Sequence, residues 1–189
     1  MLSGTVYQIK GDGSVTMPPD TMRMPFGACT LFDHDRRHNI KTILSFDSFG
    51  AALEQAFDNK RIFYAVKAEG KFKSITVRSC DKQNKPYAPL SEATKLQHEY
   101  TYSDIKGTLV GFWTPPFIPG AIGVPGFHLH FISADRTKGG HVLDFTSDYL
   151  VTAIDPTPRI SIDFSSPAEI PLMREDIERQ VHESEHNKK

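Results

Sequence analysis

Three histidines with the spacing of a metal site lie between residues 124 and 145. His128 and His130 stand two residues apart in an apolar run. Because side chains alternate across a strand, both imidazoles would project from one face, about 6 to 7 Å apart. The turn-rich segment 135–140 lets the next run fold back antiparallel, which would bring His141 to the same point. Three converging imidazoles favour a divalent transition metal, above all zinc with an open position for water or substrate.

Three other hypotheses account for the same pattern. A histidine on a strand is more often a hydrogen-bonded, half-buried side chain than a ligand, so the metal hypothesis depends on all three residues together. A cupin-like iron or manganese oxygenase also places His-x-His on a strand, but here no glutamate follows the pair closely. A metal-binding protein without catalytic activity is the third hypothesis.

Composition and charge narrow the class of partner. The chain has 189 residues, 39% of them hydrophobic and 24% charged, with a formal net charge of -1. This length suffices for a sizeable core, and the charge creates no field that would attract nucleic acid or an anionic membrane. There is no apolar run of membrane-spanning length and no signal-peptide pattern. We therefore expect a small-molecule substrate, no nucleic acid, no membrane and a cytoplasmic location.

The remaining patterns predict a chain dominated by short strands. The expected strands are Thr5–Lys10, Ser14–Thr16, Phe26–Phe32, Ile62–Ala68, Phe72–Val77, Gly107–Trp113, Phe127–Ile132, His141–Phe145, Tyr149–Ile154 and Arg159–Phe164. Hairpin turns are expected at residues 69–71 and 155–158. Helical spacing predicts helices over Ser48–Phe57, with Asp47 or Ser48 as N-cap, and over Met173–Glu185, and more weakly over Ser91–His98. The predicted fold is α+β: mixed, largely antiparallel β-sheets with a few short helices and the metal-bearing hairpin at the centre. Cys29 and Cys80 are expected to be small buried residues, not a disulfide.

Several stretches of this sequence resemble the alpha-acetolactate decarboxylase family. The strings that carry the resemblance are Gly107-Thr-Leu-Val-Gly-Phe-Trp-Thr-Pro-Pro, Val124-Pro-Gly-Phe-His-Leu-His-Phe-Ile-Ser-Ala-Asp-Arg, Gly139-Gly-His-Val-Leu-Asp-Phe, Val6-Tyr-Gln-Ile-Lys-Gly-Asp-Gly, and Arg78 with Gln83-Asn-Lys-Pro-Tyr. They extend over nearly the whole chain. The resemblance implies that residues 1–189 form a single alpha-acetolactate decarboxylase-like domain.

The resemblance also implies which residues act. His128, His130 and His141 would bind zinc, and Arg78 would lie near the metal. A glutamate near the C-terminus would match Glu185, with Glu183 as the neighbouring alternative. No thiamine or pyridoxal cofactor is implied.

The implied reaction is decarboxylation of 2-acetolactate to acetoin and carbon dioxide. Zinc would act as a Lewis acid for the electrons that the lost carboxylate leaves behind. Arg78 would hold the substrate carboxylate or balance the developing negative charge. A carboxylic acid, the role expected of Glu185, would then return a proton to carbon.

One departure from the family pattern concerns the N-terminus. The family carries a further glutamate in an Asp-Gly-Glu segment before the strand that matches residues 6–10, whereas this sequence begins with Met1-Leu-Ser-Gly. We therefore expect a domain that is N-terminally truncated relative to the family. Loss of one acid or base typically reduces the rate about a hundred- to ten-thousandfold. Unpaired sheet edges would favour association, with a homodimer as the assembly to test.

Overall fold

The computed structural model describes residues 1–22, 27–33, 36–84, 96–119 and 122–163. Within them the chain forms a two-stranded hairpin, a five-stranded sheet and one α-helix. The elements are β1 (Gln8–Ile9), β2 (Val15–Thr16), β3 (Arg36–Ile43), α1 (Phe46–Glu54), β4 (Phe63–Ser79), β5 (His98–Thr114), β6 (Gly126–Ser133) and β7 (Gly139–Thr157). The fold is thus mostly β-sheet, which confirms the prediction that strands dominate.

The large sheet has the order β3-β7-β4-β5-β6, and β6 also pairs with β7. Strands β4 to β7 therefore close into a ring, with β3 added on the edge of β7. All pairings among the described strands are antiparallel, so the expected antiparallel arrangement is confirmed. Ring closure matters for the site because it brings β6 and β7 side by side at the turn that joins them.

Two predicted chain reversals do not occur. The hairpin expected about residues 69–71 is wrong, because β4 runs without interruption for 17 residues. A Cβ on Gly70 would lie 2.7 Å from Leu150 Cδ2 and 2.8 Å from the Tyr149 carbonyl oxygen. The glycine therefore marks a close approach of β7 to β4 and not a turn. Likewise β7 runs for 19 residues and ends only at Thr157, within the turn expected at 155–158.

The helix covers one face of the sheet. Sequence patterns placed its start at Ser48, but α1 begins at Phe46 and its N-cap is Ser45. The Ser45 hydroxyl accepts a hydrogen bond from the Ser48 N–H, and the Ser48 hydroxyl accepts one from the Ser45 N–H. This capping box fixes the first turn. Phe49 and Leu53 then project from the helix into the core, where neither is exposed.

Aromatic residues make up much of that core. Phe49 meets Phe145 with ring centroids 5.3 Å apart, and Phe72 meets Phe131 at 5.3 Å. Both pairs are T-shaped, the arrangement that the ring quadrupole favours. Strands β4, β6 and β7 are therefore joined to the helix through one continuous apolar layer.

Other expectations are corrected by the structure. Residues 27–33 form no strand and Leu31 is 98% exposed, so the buried strand predicted over 26–32 is wrong. The neighbouring polar residues form β3 instead, because β7 offers them an edge to pair with. Cys29 and Cys80 are exposed, not buried. Residues 159–163 form no strand.

Some predictions lie outside the described residues. These are the helix over 173–185, with Glu183 and Glu185, and most of the weak helix over 91–98. The last residue of that helix prediction, His98, begins β5 instead. None of the helices in the described ranges is long and apolar enough to cross a membrane.

Candidate metal centre

Strands β6 and β7 bring the three predicted histidines together. His128 and His130 alternate with Leu129 along β6, and His130 is the register partner of His141 on β7. One ring nitrogen from each histidine lies within 4.8 Å of the others. The ring centroids are 4.7 to 5.3 Å apart. The convergence expected from the His-x-His spacing and the return strand is therefore confirmed.

A β-bulge aims His141 at the other two imidazoles. His141 and Phe145 are four residues apart, so strict alternation would put both side chains on one face. The register between β4 and β7 shifts between Thr76 and Val77: Thr76 pairs with Asp144, whereas Val77 pairs with Val142. The extra residue, Leu143, reverses the alternation. Phe145 consequently packs in the core while His141 faces the other histidines.

The donor set fits a zinc-like ion. Nε2 of His128 lies 3.1 Å from Nε2 of His130, and two imidazole ligands on one tetrahedral zinc would have their nitrogens about 3.3 Å apart. His130 is exposed, and His128 and His141 are half-buried. One side of the cluster is thus open to solvent. Such an arrangement can hold a metal ion and leave a coordination position accessible.

The electrostatic surroundings favour the neutral form of His130 and His141. Loss of hydration against the surrounding protein lowers the pKa of His141, and repulsion from His130, His128 and Arg78 lowers it further. The same loss of hydration, followed by the charges of His128, the N-terminal amine and Arg78, lowers the pKa of His130. Metal binding requires neutral imidazoles, and the surroundings of His130 and His141 favour that form.

Arg78 lies in the same cross-strand row as the metal cluster. On β4 it pairs with His141 of β7 on one side and with Glu99 of β5 on the other. Directly paired residues project from the same face, so the guanidinium shares the face of the histidines. Arg78 is only 7% exposed, and its Nη1 donates a hydrogen bond of 3.0 Å to Gln97 Oε1. A buried positive charge therefore stands beside the candidate metal centre.

Sequence patterns missed four neighbours of this centre. Val110 and Phe112 on β5 pair with His130 and His128, and both are half-buried on the face of the cluster. Gln97 and Glu99 flank Arg78. The first two could have been found from the antiparallel register of β5 and β6, whereas nothing in the local sequence distinguishes Gln97. Glu185 and Glu183 stay predictions, since they lie outside the described residues.

Fold and site together define a mostly antiparallel β-sheet protein with a three-histidine cluster that can hold a metal ion. The family profile described as alpha-acetolactate decarboxylase matches residues 1–174. The chain therefore belongs to the alpha-acetolactate decarboxylase family, as its resemblance indicated.

Individual relatives agree with this assignment. The chain is 36% identical over 187 residues to the alpha-acetolactate decarboxylase of Brevibacillus brevis, covering 97% of this chain and 65% of the relative. It is 38% identical over 162 residues to that of Methylococcus capsulatus, covering 86% and 62%. Its structure matches the crystal structure of acetolactate decarboxylase from Bacillus subtilis subspecies spizizenii with a TM-score of 0.90, at 30% identity, over 96% of this chain and 79% of the other. The chain thus spans less than two thirds of the length of both curated relatives.

Proposed function

We propose that this protein decarboxylates 2-acetolactate to acetoin and carbon dioxide, with zinc held by His128, His130 and His141. The observation that carries the proposal is the convergence of three imidazoles beside the buried Arg78. Family membership supplies the substrate class, because the relatives are named for this activity. The single domain over residues 1–189 and the cytoplasmic location belong to the same proposal.

The chemistry requires an acceptor for electrons. When the bond to the carboxylate carbon breaks, its electron pair must move toward the neighbouring ketone oxygen. A zinc ion in the site would supply Lewis acidity for that oxygen, a contribution worth several kcal/mol. The three imidazoles would hold the ion without adding negative charge, which would keep it electrophilic.

Arg78 supplies the second requirement, which is recognition of negative charge. Its planar guanidinium can hold the substrate carboxylate, or balance the charge that develops as carbon dioxide leaves. Burial strengthens either interaction, because water screens the charge less. Val110 and Phe112 offer an apolar surface beside the histidines for the two methyl groups of the substrate.

Reprotonation of carbon is the third requirement. The reaction consumes one proton, and a carboxylic acid held on one side of the substrate would set the configuration of the product. We assign this role to Glu185, with Glu183 as the alternative, from the family resemblance.

The decisive experiment combines metal analysis with an acetoin assay. We expect about one zinc per chain and acetoin formation from 2-acetolactate. His130→Ala should lose both, because two imidazoles hold zinc far more weakly than three. Asn39→Ala, on strand β3, is the control and should retain both.

Three results would contradict the proposal. Acetoin formation by the metal-free protein would show that zinc has no role in the reaction. Stoichiometric zinc without release of carbon dioxide would indicate a non-catalytic metal-binding protein. Oxygen uptake that depends on ferrous iron would instead indicate an oxygenase.

A further inference from the structure

A chain of side-chain hydrogen bonds leads away from Arg78. Arg78 Nη1 donates to Gln97 Oε1 at 3.0 Å, and Gln97 Nε2 donates to Glu99 Oε1 at 2.9 Å. Gln97 directly precedes β5, and Glu99 is the register partner of Arg78 on that strand. The amide therefore bridges two residues that stand opposite each other in neighbouring strands.

The order of donors and acceptors gives the amide one orientation. A guanidinium can only donate hydrogen bonds, and an ionised carboxylate can only accept them. Gln97 must consequently turn its oxygen toward Arg78 and its nitrogen toward Glu99. A flipped amide would place donor against donor and acceptor against acceptor. Glu99 thus selects the rotamer in which Gln97 accepts from the guanidinium.

The guanidinium is a group whose position matters for the chemistry. Arg78 stands between Glu99 and His141 in one cross-strand row, and His141 in turn pairs with His130. An arginine side chain has many rotamers, so a fixed acceptor limits where its charge lies relative to the metal cluster. Misplacement of a catalytic group by about 1 Å can cost a hundredfold in rate.

We propose that Gln97 is a positioning residue that fixes the Arg78 guanidinium beside the metal cluster, with Glu99 fixing the orientation of the Gln97 amide. This inference rests on the proposed function, in which Arg78 receives the substrate carboxylate or the developing charge. In this proposal neither Gln97 nor Glu99 contacts the substrate. Both act through Arg78.

The test uses the zinc-loaded protein of 189 residues and four variants. Gln97→Met keeps the length of the side chain but removes its donor and acceptor. Glu99→Ala removes the acceptor for the Gln97 amide nitrogen, and Glu99→Gln keeps an acceptor without the charge. The double variant Gln97→Met/Glu99→Ala completes a mutant cycle. Asn39→Ala is the matched control, because it removes a strand amide whose Oδ1 accepts from the Tyr149 hydroxyl.

Two readouts separate positioning from a structural effect. The first is kcat and KM for 2-acetolactate. The second is the Kd for 2-hydroxy-2-methylpropanoate, an unreactive acid that carries the same hydroxyl and carboxylate. We expect Gln97→Met to lower kcat/KM and to weaken binding of the acid, each by about tenfold to a hundredfold. Zinc content and melting temperature should stay near the parent values.

The cycle tests the role of Glu99. Glu99→Ala should show a smaller loss than Gln97→Met, and Glu99→Gln should recover most of it. The double variant should be no worse than Gln97→Met alone, because Glu99 acts only through the amide. Additive losses would overturn the role assigned to Glu99.

Failure of the inference differs from failure of the proposed function. If the parent forms acetoin and Gln97→Met stays within twofold in both readouts, the positioning role is overturned while the function stands. If the parent binds the acid but forms no acetoin, the proposed function fails and the comparison of Kd values decides the inference. If the parent neither binds the acid nor forms acetoin, both are overturned.

Discussion

Strand β6 presents two faces with opposite tasks. Leu129 and Phe131 are buried, with exposures of 0% and 1%, and pack into the apolar core. His128 and His130 alternate with them and form the metal cluster together with His141. The face with Leu129 and Phe131, here called the core face, stabilises the fold. The face with His128 and His130, here called the metal face, provides the candidate metal ligands. Because neighbouring residues point in opposite directions, substitutions one position apart should have effects of different kinds.

The largest change in stability is expected on the core face. Phe131→Ala should lower the free energy of unfolding by about 3–5 kcal/mol, because it leaves a cavity beside Phe72. Urea denaturation of the metal-free protein would measure this change. His130→Ala provides the comparison one residue away and should alter the same quantity by no more than about 0.5 kcal/mol. Equal losses in the two variants would show that the faces are not separable.

The metal face should contribute to stability only when it binds metal. With free zinc at a hundred times its Kd, the parent should gain about 2.7 kcal/mol in free energy of unfolding. His130→Ala should gain little at the same zinc concentration. Parallel denaturation curves with zinc and with a chelator would measure both values. A similar zinc-dependent gain in the variant would place the binding site elsewhere.

The sequence predicted the metal face better than the sheet that carries it. Two histidines at a spacing of two and a third beyond a turn are enough to predict a cluster, because the period of a strand is a local property. The bulge at Leu143 is different, since it exists only through the pairing of β7 with β4. Gly70 illustrates the same limit: its pattern resembles a turn, but tertiary contact with β7 explains it.

Helix α1 and strand β3 show a further limit of local patterns. The helical periodicity identified α1 correctly, but the first-turn residues Phe46 and Asp47 lay outside the predicted span. Strand β3 has mostly exposed, polar residues, and its pairing with β7 determines its structure. The neighbours Gln97 and Glu99 likewise become meaningful only when β5 is placed beside β4.

A glycine on β5 offers an intermediate test of the core face. A Cβ at Gly107 would lie 2.3 Å from Phe131 Cε2 and 2.6 Å from the Ile132 carbonyl oxygen. Since the backbone cannot yield as a flexible side chain does, Gly107→Ala should lower the free energy of unfolding by about 1–3 kcal/mol. Denaturation of the metal-free protein would measure the loss. An unchanged denaturation midpoint would show that β5 and β6 can move slightly apart with no loss of stability.

The smallest expected effect comes from the helix cap. Ser45→Ala removes the acceptor for the Ser48 N–H and should lower the free energy of unfolding by about 1 kcal/mol. The Kd for zinc should not change, because α1 packs on the core face and the cluster lies on the other. One contact makes this a demanding test: the Phe46 N–H donates a 2.7 Å hydrogen bond to Asp144 Oδ1, next to the bulge that aims His141. If zinc affinity falls together with stability, the helix start and the bulge are coupled, and the two faces of the sheet do not act independently.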